Sequence, residues 1–193
     1  MSSVYVLGGY LLDSCLKFDA KSRKIEEVAK MNEARWSAAC CVYQGKIVAC
    51  GGYTMNYYYI DGNEYFETNI SNSVEAYDSS ADEWSRMPPM IEAVYKHSLV
   101  VAGNNLYVLG FTCEKYNSLS DKFVAISKPP ASTELLIRSK NRAVSMAGKI
   151  FVFRAQESKV ISYDVTKDEW TEEMEVEGYI KDGCCIKLPQ LLQ

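Results

Sequence analysis

The chain has 193 residues, 48% of them hydrophobic and 24% charged, which suits one domain or one array of small units with a substantial core. The net charge of -4, with no stripe of Lys or Arg, argues against binding that works by neutralising nucleic-acid phosphates. No apolar stretch is long enough to cross a bilayer, so membrane partners are not expected either.

In chain order, residues 1–9 read as a strand and not as a signal peptide, because no charged segment leads into an apolar one. A cytoplasmic chain is the expectation, and the odd count of seven Cys fits free thiols in a reducing compartment. The first repeat runs over about residues 1–45. Its strand Val4-Tyr5-Val6-Leu7 ends in Gly8-Gly9, followed by Phe18-Asp19 and, seven residues after Phe18, Ile25. A further strand over residues 35–45 contains Cys40-Cys41. Adjacent strand residues point to opposite faces, so these two thiols cannot serve one metal, and they are expected to be small buried side chains.

The second repeat, about 46–104, repeats the plan with Ile47-Val48-Ala49-Cys50, Gly51-Gly52, Tyr77-Asp78 and Trp84. It carries an insertion after Gly52 in which Tyr53, Tyr57, Tyr58, Tyr59, Tyr65 and Phe66 crowd into 14 residues. Asp61-Gly62 permits a tight hairpin, so the insertion reads as an extended β-ribbon, rich in the side chain that gives large contact area at little entropic cost. Such a ribbon either recruits a partner or packs its Tyr cluster over a neighbouring sheet.

The third repeat, about 105–148, has Leu106-Tyr107-Val108-Leu109, Gly110-Phe111, Tyr116-Asn117 and Phe123. The fourth, about 149–193, has Ile150-Phe151-Val152-Phe153, Arg154-Ala155, Tyr163-Asp164 and Trp170. The strand starts lie 43, 59 and 44 residues apart, and the longer spacing is the insertion. Four matches in one order at a fixed internal spacing define a repeat of about four short antiparallel strands. The Gly pairs free the backbone for unusual dihedrals or close approach. The polar stretch between each aromatic-Asp (or Asn) and the later Trp, Phe or Ile suits a hairpin turn.

The double Gly after an apolar strand, Tyr-Asp, and Trp seven residues beyond the Tyr resemble the kelch repeat, and the resemblance runs from Val4 to about Leu188. It implies an all-β kelch β-propeller of about four blades of four antiparallel strands. The sequence looks most like the C-terminal repeats of animal kelch-like proteins. There the propeller recruits substrates to a cullin-type ubiquitin ligase, and a BTB domain and a helical domain, neither of which lies in these residues, dock to the ligase. The implied function is protein–protein interaction, with a protein or peptide substrate as partner. An actin-binding kelch protein is the alternative, and a kelch-fold carbohydrate enzyme a more remote one. A strand over residues 183–188 is expected to complete the sheet begun by residues 4–7.

By position in the family, partners meet loops after the Gly pairs and the starts of the strands leading to the next pair. Tyr10, Tyr53, Thr112 and Gln156 occupy the first positions, and Arg35, Val94, Arg138 and Tyr179 the second. A rim of Tyr10, Arg35, Tyr53, Arg138 and Gln156, joined by Tyr57, Tyr58, Tyr59 and Tyr65 of the ribbon, suits an acidic or hydrogen-bonding peptide.

Catalysis is not expected. The lone His97 has a place in the repeat ahead of a turn, and any Ser-His-Asp or Cys-His system would have to use it. No Cys/His cluster has zinc-ligand spacing, and the Gly pairs lack a phosphate-loop context, so no metal or cofactor is expected. Asp82-Glu83 and Asp168-Glu169 recur in the repeat, which makes them turn residues before catalysts. Two buried carboxylates facing a channel would be the sign of chemistry.

Overall fold

The computed structural model describes residues 3–129, 142–154, 158–175 and 177, and these hold strands and turns with no helix. The chain divides into two compact units, Met1–Tyr95 and Lys96–Gln193. In the first unit, β1 (Ser3–Gly9), β2 (Leu12–Asp19) and β3 (Lys24–Val28) form a three-stranded sheet. Next come β4 (Ala39–Tyr43), β5 (Lys46–Cys50), β6 (Tyr53–Ile60), β7 (Asn63–Ile70), β8 (Val74–Asp78) and β9 (Glu83–Met87). The sheet order is β4-β5-β8-β9, with β6 and β7 paired apart from it as a two-stranded ribbon.

The second unit holds two four-stranded meanders. One is β10 (Ser98–Ala102), β11 (Asn105–Leu109), β12 (Cys113–Asn117) and β13 (Lys122–Ala125). The other is β14 (Arg142–Met146), β15 (Lys149–Arg154), β16 (Lys159–Asp164) and β17 (Glu169–Glu175). All pairings are antiparallel. Each four-stranded sheet takes its first strand from ahead of its apolar strand, so β4 hydrogen-bonds into the second sheet although it closes the first sequence repeat. The expected closing strand at 183–188, with Cys184 and Cys185, lies outside the described residues.

The aromatic anchors face each other across one hairpin in every repeat: Phe18 opposite Ile25, Tyr77 opposite Trp84, Tyr116 opposite Phe123 and Tyr163 opposite Trp170. The residue after the aromatic builds the turn. Asp19, Asp78, Asn117 and Asp164 each accept backbone N–H groups two or three residues ahead. Five residues beyond the aromatic the backbone enters the left-handed region, at Arg23, Asp82, Asp121 and Asp168. Asp tolerates that conformation better than most residues, which accounts for its recurrence in three of the four repeats.

The same Asp also ties one sheet to the segment before it. The Asp82 carboxylate accepts the Tyr77 hydroxyl at 2.8 Å and the Ala29 N–H at 2.9 Å, while Trp84 Nε1 donates to the Ala29 carbonyl at 2.8 Å. In the second unit Asp168 accepts from Tyr163 at 2.8 Å and from Ser127 N–H at 2.9 Å, and Trp170 Nε1 donates to the Ser127 carbonyl at 2.9 Å. Asp82 and Asp168 thus recur for a structural reason.

Within each unit the rings wedge between adjacent sheets. Tyr5 meets Tyr77 at 5.8 Å between centroids, and its repeat equivalent Tyr107 meets Tyr163 at 5.9 Å. Cys15, Met31 and Ala49 fill the first core around Tyr77 and Trp84. Leu109, Cys113, Ile150, Val152 and Ile161 fill the second. Burial pushes the Cys15 and Cys113 thiols up to about 11, so both are inert at neutral pH. Cys40 and Cys41 depart from expectation. They lie on β4, at the edge of its sheet, and Cys40 is exposed while Cys41 is half-buried.

Backbone N–H donors hold Asp82 and Asp168 below the ordinary aspartate value, the tyrosine hydroxyls adding to this; the turn bonds lower Asp19, Asp78 and Asp164 likewise. A carboxylate with a lowered folded-state pKa stabilises the fold fully above its unfolded value and loses that stabilisation as pH falls through the folded value. Stability is therefore expected to hold down to about pH 4 and to decline below it. The double variant Asp82→Asn, Asp168→Asn should show a shallower acid limb in chemical denaturation followed from pH 7 to pH 2. An unchanged limb would remove these two clamps as its cause.

Candidate functional site: an aromatic rim and ribbon

The rim of the first unit is built where each Gly pair meets the segment leading to the next sheet. Gly9 N–H donates to the Arg35 carbonyl at 3.2 Å, and Gly52 N–H donates to the Val94 carbonyl at 2.7 Å. The backbones come so close that side chains are excluded. A Cβ on Gly8 (φ 62°) would lie 2.5 Å from the Arg35 carbonyl oxygen, and one on Gly52 (φ 86°) 2.6 Å from that of Trp36. Gly51 shares this crossing, its N–H donating to Ser73 and its carbonyl accepting from Arg35. In the second unit a Cβ on Gly110 would lie 2.8 Å from Cβ of buried His97, which places His97 in the packing.

This crossing corrects three of the expected rim residues. Arg35, Val94 and Thr112 are buried. Arg35 turns inward, with 1% of its side chain exposed. Its guanidinium pairs with Glu75 at 2.5 Å and donates to the Gly51 carbonyl at 2.9 Å and Ser73 Oγ at 2.8 Å. The other Glu75 oxygen accepts from the backbone and side-chain nitrogens of Asn32 at 2.6 and 2.7 Å. A guanidinium with its charge matched in a dry site is not available to a partner, so Arg35 is a structural residue. Arg138, Gln156 and Tyr179 lie outside the described residues.

Successive side chains of extended backbone point to opposite sides. With Arg35 and Val94 turned in, the next residues turn out, and they are Trp36 and Tyr95. Together with the expected Tyr10 and Tyr53 they make a row. Tyr10 meets Trp36 edge-on at 5.4 Å, Trp36 stacks on Tyr53 at 5.6 Å, and Tyr53 meets Tyr95 at 4.7 Å. Tyr10 is 71% exposed, and the other three are partly so. Trp36 and Tyr95 are equivalent positions 59 residues apart, the same interval as separates Ile47 from Leu106. That match was the signal for the two residues the sequence reading passed over by one place. Beside Trp36, a cavity of about 170 Å³ is lined by Leu7, Met31, Arg35, Trp36, Cys40 and Ala49, among others.

The ribbon rises from the same place. Trp36 N–H donates to the Tyr53 carbonyl at 3.1 Å and Tyr53 N–H returns the bond at 2.8 Å, so β6 begins already paired at its outer edge. The Asp61-Gly62 turn has positive φ at both residues, 50° and 78°, as a tight two-residue hairpin requires. Tyr57 lies opposite Phe66 and Tyr58 opposite Tyr65, the latter pair stacked at 5.9 Å. Tyr57, Tyr58, Tyr59, Tyr65 and Phe66 are all exposed, so the ribbon is not a lid over a neighbouring sheet.

The kelch motif matches residues 35–91. Kelch-like protein 35 of Mus musculus is 26% identical over 181 residues, covering 89% of this chain and 29% of its own. Kelch-like protein 25 of Xenopus tropicalis is 24% identical over 88% of this chain, and human kelch repeat and BTB domain-containing protein 12 is 26% identical over 91%. The chain spans about 30% of the length of these relatives. The solved structure of YjhT shares the fold, with a TM-score of 0.70 over 91% of this chain and 63% of that one at 14% identity. Sheets built on one repeated hairpin, the kelch motif match, relatives aligned over most of the chain and a shared fold together show a kelch β-propeller fold in a chain similar to the kelch-like proteins.

Proposed function

We propose that the chain is a protein-recognition module whose first unit grips a protein partner with the row Tyr10, Trp36, Tyr53 and Tyr95 and the adjoining ribbon. The row carries the reading. Aromatic side chains gathered at a surface, one of them lining a pocket able to take one small side chain, have the character of an interface hot spot. The resemblance to kelch-like proteins extends the reading to substrate recognition for a cullin-type ubiquitin ligase in the cytoplasm, with the ligase contacted through BTB parts. The chain is read as non-catalytic. Its buried carboxylates Glu75 and Glu114 both have partners, Glu75 in Arg35 and Asn32 and Glu114 in the Thr112 hydroxyl, and its histidine is packed against Gly110.

The test is capture from cell extract on the immobilised chain, with bound proteins identified by mass spectrometry. A parallel chain replaces residues 57–66 with a short Gly-Ser linker. The expected result is a defined partner set, including cullin-ligase clients, that the linker variant loses while its thermal melt is unchanged. Equal capture by both chains would reduce the ribbon to decoration. A partner set indifferent to changes at Trp36 as well would overturn the reading.

A further inference from the structure

The register of the ribbon separates its two faces. Tyr53, Met55, Tyr57 and Tyr59 share one face with Ile70, Thr68, Phe66 and Glu64, while the other carries Thr54, Asn56, Asn63, Glu67 and Asn69 together with Tyr58, Ile60 and Tyr65. In an antiparallel pair with a two-residue turn, alternate residues direct their backbone groups inward to the partner strand and outward to the edge. Tyr53 is an outward residue, because its N–H and carbonyl bond Trp36. By the same alternation so are Met55, Tyr57 and Tyr59. Among the described residues no strand pairs with β6 on that side beyond Trp36. The edge therefore offers unpaired backbone groups at the residues whose side chains form the Tyr53, Tyr57 and Tyr59 face, continuing a row of pairing that Trp36 begins.

The ribbon's own charge has one sign. Asp61, Glu64 and Glu67 lie in the ribbon, and no Lys or Arg occurs from residue 47 to residue 85. Glu64 stands opposite Tyr59 and accepts its hydroxyl at 3.4 Å.

We propose that the outer edge of β6 binds an extended, basic segment of the partner protein as an added antiparallel strand. The inference rests on the protein-recognition reading and names the chemistry of what is recognised. Main-chain bonds to Met55, Tyr57 and Tyr59 supply the pairing. Alternate Arg or Lys side chains of the segment lie over the rings of Tyr57, Tyr59 and Phe66 and reach Glu64, combining cation–π contact with ion pairing. A second copy of this ribbon would bring three further carboxylates and no cation, so charge disfavours self-pairing.

The test uses a displayed library of random dodecapeptides selected on the full 193-residue chain. Enrichment of peptides with Arg or Lys at alternate positions is expected. By fluorescence anisotropy, the best peptide should bind at least tenfold more weakly to Glu64→Lys, Glu67→Lys. Met55→Pro removes an outward donor and should cost tenfold beyond Met55→Ala, which keeps it. Hydrogen exchange should show new protection in β6 on peptide addition. Enrichment of neutral or acidic peptides, no enrichment, or a dimer in sedimentation that the ribbon variants dissolve would each overturn the proposal. Peptides lost on Trp36→Ala but indifferent to the ribbon variants would overturn it too and leave the recognition reading standing.

Discussion

Replacing Arg35 by Met is expected to destabilise the first unit by about 3–5 kcal/mol, the cost of leaving one half of a buried ion pair without its partner. The guanidinium is the only cation bonded to the buried Glu75 carboxylate among the described residues, and it also holds the Gly51 carbonyl and Ser73. Its loss strands Glu75 in a dry site and frees the segment that presents Trp36. The measurement is urea denaturation by tryptophan emission in a Trp170→Phe background. Of the three Trp, that leaves Trp36 and Trp84, both in the first unit. The double variant Arg35→Met, Glu75→Leu should recover most of the loss, since well-packed apolar pairs often replace buried ion pairs at little cost. A loss under about 1 kcal/mol for the single variant would mean that the pair contributes little to this unit.

Trp36→Ala is expected to have the largest effect on recognition, weakening the partner by about 2 kcal/mol or more, roughly 30-fold. Trp36 sits in the row between Tyr10 and Tyr53 and lines the adjoining cavity, so truncation removes the centre of the surface. Its backbone pairing with Tyr53 does not depend on the side chain, and the fold should survive. Isothermal titration with a partner identified by capture would read the change. Tyr95→Ala, at the end of the row, should cost less. An affinity loss for Trp36→Ala below threefold would move the binding surface away from the row.

The repeat was legible because it is local. Aromatic-Asp, the left-handed residue five places beyond the aromatic, and the facing Trp, Phe or Ile all lie within one hairpin, where spacing along the chain sets distance in space. Asp61-Gly62 was equally legible, since a two-residue turn with both φ positive calls for residues that tolerate it. The rim was legible only to within one residue. Tyr10 and Tyr53 were found, but Arg35 was taken for an exposed group. Whether an extended segment turns its odd or even residues outward depends on where its backbone is pinned, and here the pins are Gly9 and Gly52, distant in sequence.

By itself, then, the sequence determined four hairpin-based repeats, their turns and the ribbon, because these depend on the intrinsic conformational preferences of adjacent residues. Only the tertiary structure decided that Arg35 meets Glu75 across 40 residues, that Asp82 and Asp168 clasp the segments at Ala29 and Ser127, and that Trp36 and Tyr95 join Tyr10 and Tyr53 in one row. Those contacts depend on desolvation and on which backbones cross, and such quantities exist only once sheets pack against each other.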